Sequence, residues 1–287
     1  MLETIEMKEV VDIALKAGEA VMEIYEKDFS IEYKDDKSPL TDADKKAHDI
    51  ITEGLNKIVV RSTQHAAQES ALPILSEEGR DIPYEERRNW EYYWCVDPID
   101  GTKEFIKKNG EFTVNIALIH KETPVLGVVF APAIGELFWA KKGEGAYKTM
   151  LDDGCWMMDD EIFGSAKKLP LKHSTSDIQD STLTIVASKS HLNEETQKLI
   201  DHLTSNIQHP TFISKGSSLK LLMVAEGSAD IYPRLAPTME WDTAAADAIV
   251  RETGKMTCQY DHRLSTSDQR PLVYNKKELL NPWFVVV

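Results

Sequence analysis

The chain has 287 residues, enough for one large domain or two of about 150 residues each, and enough to bury a core without disulfide or metal staples. Acidic residues outnumber basic ones 48 to 33, for a formal charge of −15. That balance excludes a general nucleic-acid polymer binder, which needs a broad basic face, and electrostatic docking on anionic lipid.

In chain order, Met1 to Val11 carries three glutamates and no basic-then-apolar run, so no secretory signal is read there. Met7, Val11, Ala14, Leu15, Gly18, Val21, Met22 and Tyr25 recur at a 3.6-residue period and predict a first helix. A polar link over 34–39 leads to Thr41-Asp42-Ala43-Asp44, opening a second helix with a stripe of Ala43, Ala47, Ile50, Ile51, Leu55 and Ile58. Residues 61–72 and 79–90 read as polar loops around a short strand at Leu72 to Leu75. Tyr92 to Val96 suits a buried strand that ends at Asp97-Pro98.

From Phe112 the period changes to two, with Phe112, Val114, Ile116 and Leu118 on one face. Val125 to Phe130 and Glu136 to Ala140 predict further strands, and Leu151 to Lys168 an irregular, acidic surface excursion. Strands at Thr184 to Ala187, Thr211 to Ser214 and Ala229 to Tyr232 then alternate with helices over Asn193 to Leu203, from Ser217, and over Asp242 to Arg251. The pattern is mixed, α+β passing into α/β, and divides at residues 1–168 and 169–287.

Cys95, Cys155 and Cys258 are widely spaced and form no CxxC, which points to reduced thiols. No apolar stretch reaches the roughly 20 residues that span a bilayer. The expected location is the cytoplasm.

Asp97-Pro98-Ile99-Asp100-Gly101-Thr102 is the most informative segment. Proline fixes φ and glycine permits a tight turn, so Asp97, Asp100 and the Ile99 carbonyl can converge on one point. All-oxygen convergence suits Mg²⁺; the same residues also suit an ordinary turn. Glu77-Glu78 follows a short apolar run and reads equally as a solvated loop. Asp242 reads as a first-turn helix acid, and Thr41-x-x-Asp44 as a capping box. Together the four segments fit a cluster of cations held by separated carboxylates and acting on a phosphate ester. Such ions neutralise carboxylates that would otherwise take up protons, and they let a protein of charge −15 accept a phosphate dianion.

Gly216-Ser217-Ser218 opens a predicted helix and offers a second anion site. Lys220 and Arg234 can supply charge there, although a helical lysine is commonly a solvated one. His191 reads either as a sugar or base contact or as a surface histidine. Trp241 reads as packing that orients Asp242.

Leu75-Ser76-Glu77-Glu78, Asp97-Pro98-Ile99-Asp100-Gly101-Thr102 and Trp241-Asp242-Thr243-Ala244-Ala245 resemble the three signatures of the inositol monophosphatase superfamily of Mg²⁺-dependent, lithium-sensitive phosphatases. Within it, Gly101-Thr102-Lys103-Glu104-Phe105-Ile106, Ser188-Lys189-Ser190-His191, Gly216-Ser217-Ser218-Leu219-Lys220 and Tyr232-Pro233-Arg234 are most similar to the CysQ-type 3'(2'),5'-bisphosphate nucleotidases. The resemblance implies a layered α/β/α/β/α sandwich. It also implies hydrolysis of adenosine 3',5'-bisphosphate (PAP) to AMP and phosphate, with the sulfated form PAPS a further candidate, in the service of sulfur assimilation.

Carried over by position, Glu77, Asp97 and the Ile99 carbonyl would bind one Mg²⁺. Asp97, Asp100 and Asp242 would bind a second, and Glu77 would hold a third through water. Asp44 and the Thr102 hydroxyl would position the attacking water, and the Gly101 and Thr102 amides would receive the phosphate. Asp242 would assist the leaving oxygen. Gly216, Ser217, Lys220, Arg234 and His191 would contact the nucleotide. The resemblance leaves open a monomer or homodimer, and peripheral association with the cytoplasmic face of the inner membrane. Ala246 stands where the family usually has glycine, and Gly79 replaces a small polar or acidic residue. The competing readings are an inositol 1-phosphate or sugar-bisphosphate phosphatase of the same fold, and a non-catalytic metal- or nucleotide-binding regulator.

Overall fold

A computed structural model describes residues 2–27, 31–33, 39–58, 60–61, 69–151, 160–171, 183–188, 193–205, 209–260 and 270–287. Helix α1 (Met7–Tyr25) forms where the apolar period predicts it, and buries Val11, Ala14, Leu15, Gly18 and Val21. A short antiparallel pair, β1 (Ile31–Tyr33) and β2 (Pro39–Thr41), leads into α2 (Asp42–Lys57). Helix α2 crosses α1 closely: a Cβ on Gly54 would lie 2.6 Å from the Ile13 side chain. A two-residue pair follows, β3 (Val60–Arg61) with β4 (Glu69–Ser70).

The centre is a seven-stranded sheet. Its strands are β5 (Ile74–Ser76), β6 (Tyr92–Asp100), β7 (Thr113–His120), β8 (Thr123–Ala131), β9 (Glu136–Lys141), β10 (Gly145–Met150) and β11 (Lys167–Lys168). They lie in the order β11-β10-β9-β8-β7-β6-β5. Short helices α3 (Tyr84–Arg87), α4 (Thr102–Ile106) and α5 (Asp160–Gly164) lie on its connections. From β6 to β11 the sheet is an antiparallel meander, while β5 joins β6 in parallel. Both faces are buried. Val114, Ile116 and Leu118 of β7 pack in one core with α1 and α2, and Ala117 and Ile119 in a second core on the other face.

The second core is completed by α7 (Leu219–Glu226) and α8 (Glu240–Glu252). Ahead of them in the chain, β12 (Thr184–Ser188), α6 (Glu194–Thr204) and β13 (Thr211–Lys215) form a parallel βαβ unit. Four more strands, β14 (Tyr232–Arg234), β15 (Thr257–Gln259), β16 (Arg270–Pro271) and β17 (Phe284–Val286), pair in the order β14-β17-β15-β16. A bridge from Ile185 to Ile231 links the two groups. Val186, Phe284 and Val286 face α7 and α8, while Ile185 and Val285 face Ile200 and Leu203 of α6. The layers therefore run α1 and α2, sheet, α7 and α8, second β layer, α6. That is the α/β/α/β/α order.

Four sequence expectations are corrected. Strand β6 does not stop at Asp97-Pro98 but runs through to Asp100, and its register slips: Asp97 pairs with Asn115 and Asp100 with Thr113. One extra residue is accommodated on β6, a bulge of the sort that re-aims side chains beside active sites, and proline fits there because it has no N–H for the ladder. The strand expected at Leu72 forms two residues later, as β5, and the one expected at Ala229 three residues later, as β14. The described end of the 151–168 excursion is ordered structure. Ile162 of α5 enters the first core, Phe163 meets Trp139 edge-on at 5.1 Å, and β11 pairs with β10. Residues 152–159 lie outside the described residues.

Candidate active site

Four chain segments bring carboxylates to one end of the sheet. On α2, the Asp44 Oδ2 accepts hydrogen bonds from the Thr41 amide (2.8 Å) and hydroxyl (2.6 Å), so the capping box is real. Its Oδ1 remains directed at the Thr102 hydroxyl, 3.3 Å away. Capping and site roles are thus divided between the two oxygens of one carboxylate. Glu77 follows β5 immediately, and its amide donates to the Val96 carbonyl (3.1 Å), continuing the parallel pairing one step beyond the strand. That pairing sets Glu77 beside Asp97.

Asp97 is 1% exposed, and its Oδ1 accepts the Ile99 amide (3.1 Å), closing a turn over Pro98. Gly101 then takes φ = 92°, in the left-handed region that favours glycine. The Thr102 hydroxyl lies 3.3 Å from both the Ile99 carbonyl and Asp44 Oδ1. Asp242 is the third residue of α8, and its Oδ2 accepts the Met239 amide (2.8 Å).

Glu77, Asp97 and Asp242 each offer an oxygen within 4.8 Å of the others. Burial pushes the Asp97 carboxyl well above the usual range, and the negative charges of Glu77, Asp100, Asp242 and Asp44 push it further. Burial and then Asp100 do the same to Asp242. Asp100 is raised by burial but held back by Lys220, the Ser217 hydroxyl and the Ser218 amide. Convergent buried carboxylates of this kind either hold protons or hold a cation. The donor set is oxygen throughout, carboxylates with the Ile99 carbonyl beside them, which suits a hard divalent ion.

The same cavity, about 260 Å³, is also lined by Gly101, Thr102, Gly216, Ser217, Lys220 and Arg234. The structure assigns several of these polar groups internal partners. Ser217, at φ = 52°, donates its hydroxyl to Asp100 Oδ2 (2.7 Å) and lies 2.5 Å from the Thr113 hydroxyl. The Gly216 amide donates to Glu111 Oε2 (2.9 Å), and α7 begins only at Leu219. The second anion site expected at 216–218 is therefore corrected at Gly216, whose N–H is committed to Glu111. A Cβ there would come within 2.8 Å of the Glu111 carbonyl, so glycine is required for close packing.

Lys220 is buried, not solvated: it bonds the Ser217 carbonyl, stands 5.6 Å above the Tyr232 ring, and has its pKa lowered by burial to about 8. Arg234 donates through Nη2 to the Pro237 carbonyl (3.0 Å), while its buried Nε has no hydrogen-bond partner among the described residues. Tyr232 and Thr238 line the cavity too, beyond the expected site residues. Tyr232 belongs to the Tyr232-Pro233-Arg234 signature, a signal that could have found it, whereas Thr238 carries none. Trp241 packs against the second core. His191 lies outside the described residues.

The fold and these carboxylates define a class. The model of the inositol monophosphatase family matches residues 4–284, and the chain belongs to that family. Among its relatives, the 3'(2'),5'-bisphosphate nucleotidase CysQ of Salmonella typhimurium is 40% identical over 283 residues, 98% of each chain. The protein of the same name from Escherichia coli K12 is 38% identical over 288 residues, again 98% of each. The crystal structure of CysQ from Bacteroides thetaiotaomicron, a bacterial member of the inositol monophosphatase family, superposes with a TM-score of 0.78 at 44% identity, covering 97% of this chain and 95% of that one. Among the described residues no helix is long and apolar enough to cross a membrane.

Proposed function

We propose that this chain is a Mg²⁺-dependent 3'(2'),5'-bisphosphate nucleotidase that hydrolyses the 3'-phosphate of PAP to give AMP and phosphate. One observation carries the reading: oxygens of Glu77, Asp97 and Asp242 meet within 4.8 Å in a cavity that also holds Lys220 and Arg234. It is supported by full-length relatives that bear this activity in their names.

Glu77, Asp97 and the Ile99 carbonyl would hold one Mg²⁺, Asp97, Asp100 and Asp242 a second, and Glu77 a third through water. When bound, such ions lower the pKa of water and stabilise charge on the phosphate and leaving oxygens. The chain supplies the rest. Asp44 Oδ1 accepts a proton from the attacking water and Thr102 Oγ1 orients it, since the two atoms stand 3.3 Å apart. The Gly101 and Thr102 amides receive phosphate oxygens. Asp242 would orient a water that gives its proton to the departing alkoxide. Lys220 and Arg234 face the second phosphate, and the unpartnered Arg234 Nε is a donor suited to it. Ser217 acts on the substrate through Asp100, which its hydroxyl holds. His191 would meet the sugar or base.

Residues 1–168 thus carry most of the metal ligands, and 169–287 carry Asp242 and the nucleotide contacts. PAPS, whose 5' group is also anionic, is a second candidate substrate, and a cytoplasmic location fits both. The test is phosphate release from PAP and from inositol 1-phosphate, each with Mg²⁺ and with chelator. Mg²⁺-dependent release from PAP, with little from the inositol ester, is expected. The reverse preference would assign the pocket to inositol phosphates. PAP binding with no turnover would leave a regulator.

A further inference from the structure

Arg87 is 2% exposed and Glu240 fully buried, yet the chemistry above uses neither. Arg87 follows Glu77 by ten residues and donates to the Ile82 carbonyl (3.3 Å), to Asn275 Oδ1 (2.9 Å) and to the Lys277 carbonyl (2.9 Å). Asn275 returns a bond from Nδ2 to the Arg87 carbonyl (2.9 Å) and donates its amide to Glu240 Oε2 (2.7 Å). Lys276 donates both its amide (2.9 Å) and its ammonium (2.6 Å) to Glu240 Oε1. Glu240 opens α8, two residues before Asp242. Asn281 closes the set by donating to the Met239 carbonyl (2.7 Å), and the Met239 amide in turn holds Asp242 Oδ2.

Largely buried polar contacts therefore link Ile82 and Arg87, on the β5–β6 connection that begins with Glu77, to the helix turn that carries Asp242. We propose that Arg87, Asn275, Glu240 and Lys276 are positioning residues, a brace that sets the spacing of Glu77 and Asp242 for metal. The inference rests on the reading of those two carboxylates as metal ligands. Its physical basis is that both oxygens of Glu240 are engaged from one short turn, 275–276, which fixes the start of α8 in rotation as well as height. Asn275 is suited to the middle of the brace because it stands at φ = 61°, a conformation asparagine tolerates better than most residues, while its side chain reaches Arg87.

The test is Mn²⁺ binding to the purified full chain, by calorimetry, beside thermal unfolding in EDTA. Asn275→Gly preserves the left-handed backbone and the amide bond to Glu240 but deletes both bonds to Arg87. It is expected to weaken Mn²⁺ binding by roughly 10–100-fold, the range for residues that orient ligands from behind, and to recover turnover at saturating metal. Arg87→Lys, which loses the fork, should move the same way if Asn275→Gly does not fold. Asn275→Asp keeps the acceptor for Arg87 and should restore most of the affinity. Variants that melt earlier in EDTA yet bind Mn²⁺ like wild type would overturn the brace and leave the metal site standing. Wild-type protein that binds no Mn²⁺ would overturn the ligand reading, and the brace with it.

Discussion

Helix α8 lies so close to the central sheet that Gly127 of β8 has no room for a side chain. A Cβ there would stand 2.2 Å from the Ala245 carbonyl oxygen and 2.9 Å from the Ala248 Cβ. Gly127→Ala therefore forces α8 away by about 1 Å, because ordinary contact begins near 3.4 Å. Backbone faces backbone, so no rotamer can relieve the clash. That places the cost at the upper end of overpacking, about 3 kcal/mol. Losing the glycine's freedom in the unfolded chain returns up to about 1 kcal/mol. The net loss of about 2 kcal/mol should lower Tm by roughly 4–8 °C.

Activity should suffer more than stability. Ala245 lies one turn beyond Asp242, and a displacement of about 1 Å at a reacting centre can cost roughly 100-fold. The assay is thermal unfolding by circular dichroism, with kcat measured well below Tm. Gly164→Ala serves as the control, since nothing lies within 4 Å of a Cβ there. A Gly127→Ala protein with wild-type Tm and kcat would refute the close approach and the dependence of Asp242 on it.

Asp97→Asn should cut turnover by at least about 100-fold, as even residues behind a ligand can cost that much. It should also raise Tm in chelator, because it deletes a buried carboxylate surrounded by negative charge; a lowered Tm would contradict this. Asp97, Asp100 and Asp242 all have folded-state values raised chiefly by burial. Their stabilising contribution is present below the unfolded value near 4 and is lost as pH rises through the folded values. Metal-free Tm should then fall as pH rises from about 4 toward neutrality, and saturating Mg²⁺ should flatten the slope; parallel slopes would count against the cluster. Lys220, with its pKa near 8, should make KM for PAP climb as pH passes that value. Lys220→Arg, always charged, should remove the inflection, and a KM indifferent to pH would take Lys220 out of the substrate site.

Local signals carried much of the site. The α1 stripe and the Thr41 cap are short-range patterns, and each lies where the sequence expected it. Of the acids beside Pro98 and Gly101, Asp97 meets Glu77 and Asp242, whereas Asp100 stands outside that trio with its Oδ2 on the Ser217 hydroxyl. The alternation in β7 was legible too, but not that its other face is also buried, since Ala117 and Ile119 meet helices more than 100 residues away. The bulge at Pro98 escaped because proline reads as a strand terminator unless its partner strand is known. Helix α5 was hidden by the acidic composition around Ile162 and Phe163. Asn275 gave no signal, and the partner of Glu111 could not be read, because both roles depend on residues distant in sequence. Lys220 changed meaning on burial: a helical lysine in sequence is a neutralising counter-charge beside Asp100 in the fold. Ala246, which the resemblance marks as a departure, is buried in the second core, so its methyl bears on packing.

Asp242 lies 145 residues beyond Asp97 in the chain. Strands β6 to β10 can pair through short connections, whereas α8 must return across a long loop, and such closure comes late when local contacts form first. The nascent protein accordingly presents Glu77 and Asp97 before their third partner exists. A cation that binds the completed trio stabilises the docked helix by mass action and favours the meander alone far less. Metal supply should then govern how much newly made chain reaches its final form, as well as how fast the mature protein turns over.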